Sequence, residues 1–162
     1  MARTPLWKNS RGEWYVVGQF VLLLLVGAGP RAFSGLPAWN ATFAQTAFAV
    51  GALFLLFGAY MAVWGMIALG DNLTPVPFPK DGGTLVESGP YRIVRHPIYS
   101  GLVFASFGWG LLVHGWLTIL YAALLFVLLD VKSRREERWL MDRFSGYAAF
   151  RKRVRKLIPF LY

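Results

Sequence analysis

Residues Ala44–Gly70 constrain this chain more than any other stretch. They are 27 consecutive residues without a single charge, roughly 40 Å of helix if fully wound. A segment that long and that apolar exceeds the hydrocarbon thickness of a bilayer, so it predicts a tilted or protruding membrane helix. Gly51, Gly58, Ala62 and Gly65 recur along it at close to helical spacing, leaving a face on which another helix or a ligand can approach the backbone. The composition agrees. Apolar residues make up 56 % of the 162 and charged ones 15 %, too apolar for an ordinary soluble domain. Seven Trp, seven Tyr and 13 Phe suit a surface in contact with lipid and its interfaces.

Three further helices follow from the same reasoning. Trp14–Gly29 is a first span at the short end of the range, stopped by Pro30 and Arg31. Ala32–Phe43, with Gly35, Pro37 and Trp39, reads as an interfacial loop. Asn40-Ala41-Thr42 within it fits a glycosylation sequon, a triplet common by chance. Asp71–Val94 contains Pro75, Pro77, Pro79 and Gly82-Gly83 and reads as a loop outside the membrane. Pro97 suits the first turn of a third helix running to about His114. Gly115 offers a tight reversal, and Trp116–Val131 forms a fourth span. From Lys132 the pattern stays helical but becomes strongly charged. Tyr147, Phe150, Val154, Leu157 and Ile158 mark one face of a C-terminal amphipathic helix lying along the membrane surface. The expected fold class is therefore all-α: one multi-pass membrane domain over residues 1–162, with about four transmembrane helices and an interfacial tail helix.

Basic residues orient the chain. Four spans place both termini and the Asp71–Arg95 loop on one side, and that side holds 16 of the 17 Lys and Arg; Arg31 is the exception. The positive-inside rule makes it the cytosolic side, which in a bacterium is the cytosolic face of the inner membrane. The net charge of +9 lies beside apolar spans, as anionic headgroups favour, and nucleic acid is not an expected partner. The chain contains no Cys, which excludes disulfides, thiolate nucleophiles and Cys-ligated metal sites; no metal site is expected.

The cytosolic side collects Tyr91, Arg92, Arg95, His96, Tyr99, Glu136, Glu137, Tyr147, Arg151 and Arg155, mostly at the depth where water meets lipid. Arg95 and His96 fall at the positive end of the third helix, where free N–H groups favour an anion. Glu136 and Glu137 supply negative charge suited to an ammonium or a sulfonium. Each feature also has a plain reading. The Glu pair among Arg134, Arg135 and Arg138 also reads as a solvated helix face, Arg92 and Arg95 as positive-inside anchors, and His96-Pro97 as a helix start, while His114 reads as structural. Taken singly, none establishes an enzyme.

Joined in order, these residues resemble a known signature. Gly89-Pro90-Tyr91-Arg92-Ile93-Val94-Arg95-His96-Pro97-Ile98-Tyr99-Ser100-Gly101 resembles the central Arg-His-Pro-x-Tyr-x-Gly block of the isoprenylcysteine carboxyl methyltransferase and phospholipid methyltransferase family of integral-membrane methyltransferases. Arg135-Glu136-Glu137-Arg138-Trp139-Leu140 is similar to its Glu-Glu-x-x-Leu block. Phe144–Phe160 resembles its tail, with Ser145 where many members have Gly. The resemblance covers roughly residues 75–160. It implies a transferase that uses S-adenosyl-L-methionine without a Rossmann domain and methylates the polar head of a lipidic or prenylated acceptor. Carried over, His96, Pro97, Tyr99 and Gly101 line the cofactor pocket, Glu136 and Glu137 hold its ammonium end, and Tyr91 and Arg95 close its polar side. Tyr147 and Arg151 are the candidates for orienting the acceptor. Two other readings stand beside this one: an NADPH-dependent reductase of sterol-reductase type, and a lipid-binding membrane protein without catalysis.

Overall fold

A computed structural model describes residues 12–74, 76, 78–79 and 81–162. Arg3, Lys8, Arg11 and Lys80, which entered the charge count, and Pro75 and Pro77, which entered the loop prediction, lie outside the described residues. The elements are α1 (Glu13–Ala28), α2 (Ala41–Leu69), α3 (Pro97–Leu112), α4 (Trp116–Arg143) and α5 (Tyr147–Arg153), with 3₁₀ turns at Gly70–Asn72 and Gly89–Arg92. No strand is present among the described residues; a lone parallel bridge joins Val94 to Arg155.

α2 and α4 are long and apolar enough to cross a membrane, whereas α1 and α3 are shorter apolar helices of 16 residues each. Only 17 % of the most apolar window of α2 is buried. Leu53, Leu56 and Ile67 are 67 %, 69 % and 72 % exposed, so α2 is not the core helix of a soluble domain. It begins at Ala41, earlier than expected, because the Asn40 side chain caps it by accepting from the Phe43 N–H at 2.8 Å.

α2 and α3 form the tightest pair, and their glycines explain why. Gly51, Gly58 and Gly65 repeat every seven residues on α2, and Gly101 and Gly108 do so on α3. The antiparallel register sets Gly51 against Gly108 and Gly58 against Gly101. A Cβ on Gly101 would meet the Ala62 nitrogen and the Gly58 carbonyl oxygen at 2.5 Å. Only hydrogen fits there, so the backbones touch. Gly65 faces Pro97 and Ile98, which fixes the height at which α3 begins.

The reversal after α3 departs from expectation. His114, not Gly115, takes the left-handed conformation, with φ +51°, and its Nε2 lies 3.2 Å from the Ala44 carbonyl oxygen. Gly115 is required for another reason: a Cβ there would lie 2.5 Å from Thr118 Oγ1. α4 then runs unbroken for 28 residues; neither Gly nor Pro interrupts it, and its charged half extends past the apolar one.

The tail also differs. α5 is seven residues long and ends at Arg153. Tyr147, Phe150 and Leu157 are buried, with Tyr147 and Phe150 packed on Tyr91, Leu85, Leu140 and Val154. The expected long surface helix is thus a short one whose apolar residues close the molecule's own core. Arg155 leaves the helix and bonds to the start of α3: the Arg95 N–H donates to the Arg155 carbonyl at 2.7 Å and the His96 N–H to that of Lys156 at 3.2 Å. The segment is held by a buried ion pair, Lys156 Nζ to Asp130 Oδ1 at 2.5 Å, and by the Tyr162 hydroxyl donating to the same oxygen at 2.9 Å.

Candidate functional site

The start of α1, the end of α2, the start of α3, the charged half of α4 and α5 converge at one end of the bundle, around a cavity of about 240 Å³. Residues 72–74, 76, 78–79 and 83–86 cover it. Asn72 Oδ1 accepts from the Thr84 N–H at 2.9 Å, the Phe78 ring packs edge-on against Trp139, and Arg153 pairs with Glu87 at 2.7 Å. Leu73, Val76, Phe78, Leu85 and Val86 give the cover an apolar inner surface.

Six of the ten expected site residues line this cavity: Tyr91, Arg95, His96, Tyr99, Glu136 and Tyr147. His96 and Tyr99 stack with their rings 5° from parallel and 5.5 Å apart. The Tyr99 hydroxyl donates to Glu136 Oε2 at 2.9 Å, and His96 Nδ1 lies 3.8 Å from the same oxygen. Glu136 therefore sits at the cavity wall with one neutral donor and further acceptor capacity. The Tyr147 hydroxyl is buried and makes no hydrogen bond of normal geometry among the described residues, although the Arg95 guanidinium is close enough to act on it. Burial raises the pKa of both Tyr91 and Tyr147, helped by the charge of Glu136 at Tyr91 and of Glu137 at Tyr147. Both phenols accordingly remain neutral donors.

The other four expected residues lie elsewhere. Pro97 and Gly101 face α2 rather than the cavity. Glu137 is turned away from Glu136, as successive residues on a helix must be. It is almost wholly buried, and three basic groups surround it: Arg95 Nε at 2.8 Å, His96 Nε2 at 3.2 Å and Arg151 Nε at 3.3 Å. Arg95 is in turn held by the carbonyls of Arg151 and Val154. The carboxylate thus joins α3, α4 and α5 behind the cavity wall. Arg151 is half exposed and lines a basic cleft with Arg134, Arg138, Lys152 and Arg155, on the far side of Glu137 from the cavity. The stripe Tyr147–Arg151–Arg155 expected on one helix is not continuous, because the helix ends before Arg155.

Among the cavity residues that were not expected, two polar side chains come from the bundle helices. Gln19 of α1 and Lys132 of α4 both line it, with Lys132 Nζ donating to Gln19 Oε1 at 2.7 Å and lying 4.8 Å from the centre of the Tyr99 ring. Polar residues at the margins of apolar spans are the signal that marks them in sequence. Asp130, a carboxylate at the end of the fourth span, carries the same signal, and its role is to anchor the tail.

Comparison with known proteins agrees with the geometry. A match to the phospholipid methyltransferase family covers residues 46–146; it begins inside α2, earlier than the sequence blocks at 75–160. The chain is 28 % identical over 164 residues to the protein-S-isoprenylcysteine O-methyltransferase of Schizosaccharomyces pombe, covering 94 % of this chain and 69 % of that protein. It is 26 % identical over 156 residues to the cobalt-zinc-cadmium resistance protein CzcN of Cupriavidus metallidurans, covering 95 % and 65 %. With methanethiol S-methyltransferase 1 of Bradyrhizobium diazoefficiens it shares 38 % identity over 107 residues, 65 % of this chain and 34 % of that one. The chain thus spans about two thirds of the length of the first two and a third of the last. With more than half of its residues matched, among them the cavity-lining Tyr91, His96, Tyr99 and Glu136, the chain belongs to the phospholipid methyltransferase family.

Proposed function

We propose that the protein is an integral-membrane methyltransferase that uses S-adenosyl-L-methionine and methylates the polar head of a lipid-like acceptor. One observation carries the reading: in a chain of this family, Tyr91, Arg95, His96, Tyr99, Glu136 and Tyr147 surround one cavity at one end of an apolar bundle. The cavity suits this cofactor. Glu136 supplies an anionic wall for a cationic group, Tyr147 a buried hydroxyl, and Leu73, Val76, Phe78 and Leu85 apolar surface. When bound, the cofactor supplies a methyl group already activated on a sulfonium.

The chain's task is then alignment and exclusion of water rather than chemistry on the methyl group itself. The cover, with Leu73, Val76, Phe78, Leu85 and Val86 on its inner side, and the buried cluster of Tyr91, Tyr147 and Phe150 close the site. Glu136 holds the ammonium end, with Tyr99 fixing the carboxylate. Tyr147 orients the acceptor, and Arg151 acts at one remove, by holding Glu137 and through it Arg95 and His96. Pro97 and Gly101 set the depth of α3 and so the height of His96 and Tyr99. A carboxylate acceptor needs no base. An amine or thiol must lose a proton, and with Glu136 engaged by the ammonium, His96 is the group in the cavity wall to receive it.

Four spans, with both termini and this site in the cytosol, complete the proposal. The distribution of basic residues supports it, as does the common end shared by the start of α1, the end of α2, the start of α3 and the charged half of α4. Titration of the detergent-solubilised protein tests the cofactor. S-adenosylhomocysteine should bind and NADPH should not. Binding of NADPH, or of neither, would remove the methyltransferase reading.

A further inference from the structure

Lys132 is a charged group in the cavity that the proposed function leaves without a task. Its residue is 2 % exposed, in a place where an ammonium is costly unless a counter-charge meets it. Among the described residues its hydrogen-bond partner is the neutral Gln19, and the Tyr99 ring lies 4.8 Å away. No carboxylate lies within ion-pair distance of it among the described residues. Glu136 follows one helical turn later, on the same cavity wall, bonded to Tyr99 rather than to Lys132. A cation and an anion at i and i+4 stand about 5–6 Å apart at their Cβ atoms. Not in direct contact, though the charge of Glu136 acts on Lys132, they present complementary charges to the two ends of an α-amino-acid zwitterion.

We propose that Lys132 is the carboxylate-binding residue of the cavity, acting opposite the ammonium-binding Glu136. An ammonium donates three hydrogen bonds. One goes to Gln19, and that bond draws α1 onto α4 and aims the remaining donors into the cavity. The proposal rests on the functional reading above and adds to it the residue that distinguishes a carboxylate-bearing ligand from one without. Two sources can supply that carboxylate: the amino-acid end of the cofactor, or a lipidic acceptor.

Two pairs of ligands separate the sources, each pair differing only in the carboxylate. The first is S-adenosylhomocysteine and its decarboxylated analogue, which keeps the ammonium. The second is N-acetyl-S-farnesylcysteine and its methyl ester. The unaltered protein should prefer the carboxylate member of one pair. Lys132→Gln should weaken that member about ten- to a hundredfold, the range for a charged hydrogen bond, and leave its partner unchanged, while Lys132→Arg retains part of the preference. A loss confined to the first pair assigns the carboxylate to the cofactor, and a loss confined to the second assigns it to the acceptor. A purely structural Lys132, tying α1 to α4, would weaken both members of a pair alike and lower Tm. No preference in the unaltered protein for either carboxylate, or an undiminished preference in Lys132→Gln, would overturn the proposal. Failure of S-adenosylhomocysteine and its analogue to bind the unaltered protein at all would overturn the functional reading itself, and this inference with it.

Discussion

At the scale of single residues, the adjacent Glu136 and Glu137 show how helix geometry assigns different work to identical side chains. One residue of helix is about 100° of rotation, so Glu136 reaches the cavity while Glu137 faces the junction of α3 and α5. Their substitutions should separate accordingly. Glu136→Gln should weaken binding of S-adenosylhomocysteine about tenfold or more with little change in Tm. Glu137→Gln leaves Arg95 and His96 buried without their counter-charge and should cost about 3 kcal/mol of stability or more. Thermal melting and ligand titration of both variants check this. Equal binding losses without destabilisation would mean that the two carboxylates share one role.

At the scale of elements, the α2–α3 contact determines where the site stands. Gly58 and Gly101 meet backbone to backbone, and α3 carries His96 and Tyr99 at its start. Gly101→Ala should therefore lower both Tm and cofactor affinity, because α3 must move off α2 to admit the methyl group. Gly101→Leu should prevent recovery of folded protein. Gly27→Ala, near the end of α1, is the control: nothing lies within 4 Å of a Cβ there, so Tm should not fall. Should Gly101→Ala melt like the unaltered protein, the close packing of these helices would not be what sets the depth of α3.

For the whole molecule, the proposed topology makes the two ends of the bundle chemically distinct. One end carries the cavity and its basic surround. The other carries Arg31 and an aromatic cluster of Trp39, Phe43 and Trp116, with Trp116 Nε1 donating to the Pro37 carbonyl at 2.9 Å. The absence of native Cys makes single-cysteine labelling direct. Asp81→Cys and Arg153→Cys should react only from the cytosolic side and Ser34→Cys only from the outside. Labelling of Asp81→Cys and Arg153→Cys from opposite sides would separate the cover from α5 and dismantle the common cavity.

The apolar stretches, the proline that starts α3 and the block from Arg95 to Gly101 were legible in the sequence because each is a local property. Hydropathy, helix-start chemistry and a family resemblance need no knowledge of what packs where. The helix count, the family and the end of the bundle that carries the polar residues all follow from them. The division of labour among the polar residues was not legible. Periodicity put Tyr147, Arg151 and Arg155 on one surface helix, but buried contacts at Tyr91 and Asp130 outweighed that pattern and turned the tail inward. Nor does the sequence say that Glu137 meets three basic groups from two other elements, or that Lys132 meets Gln19, more than a hundred residues away. Such pairings depend on helix rotation and on the register set by Gly58 against Gly101. Those are tertiary quantities: burial and close packing decide them between segments, whereas composition and spacing act within one.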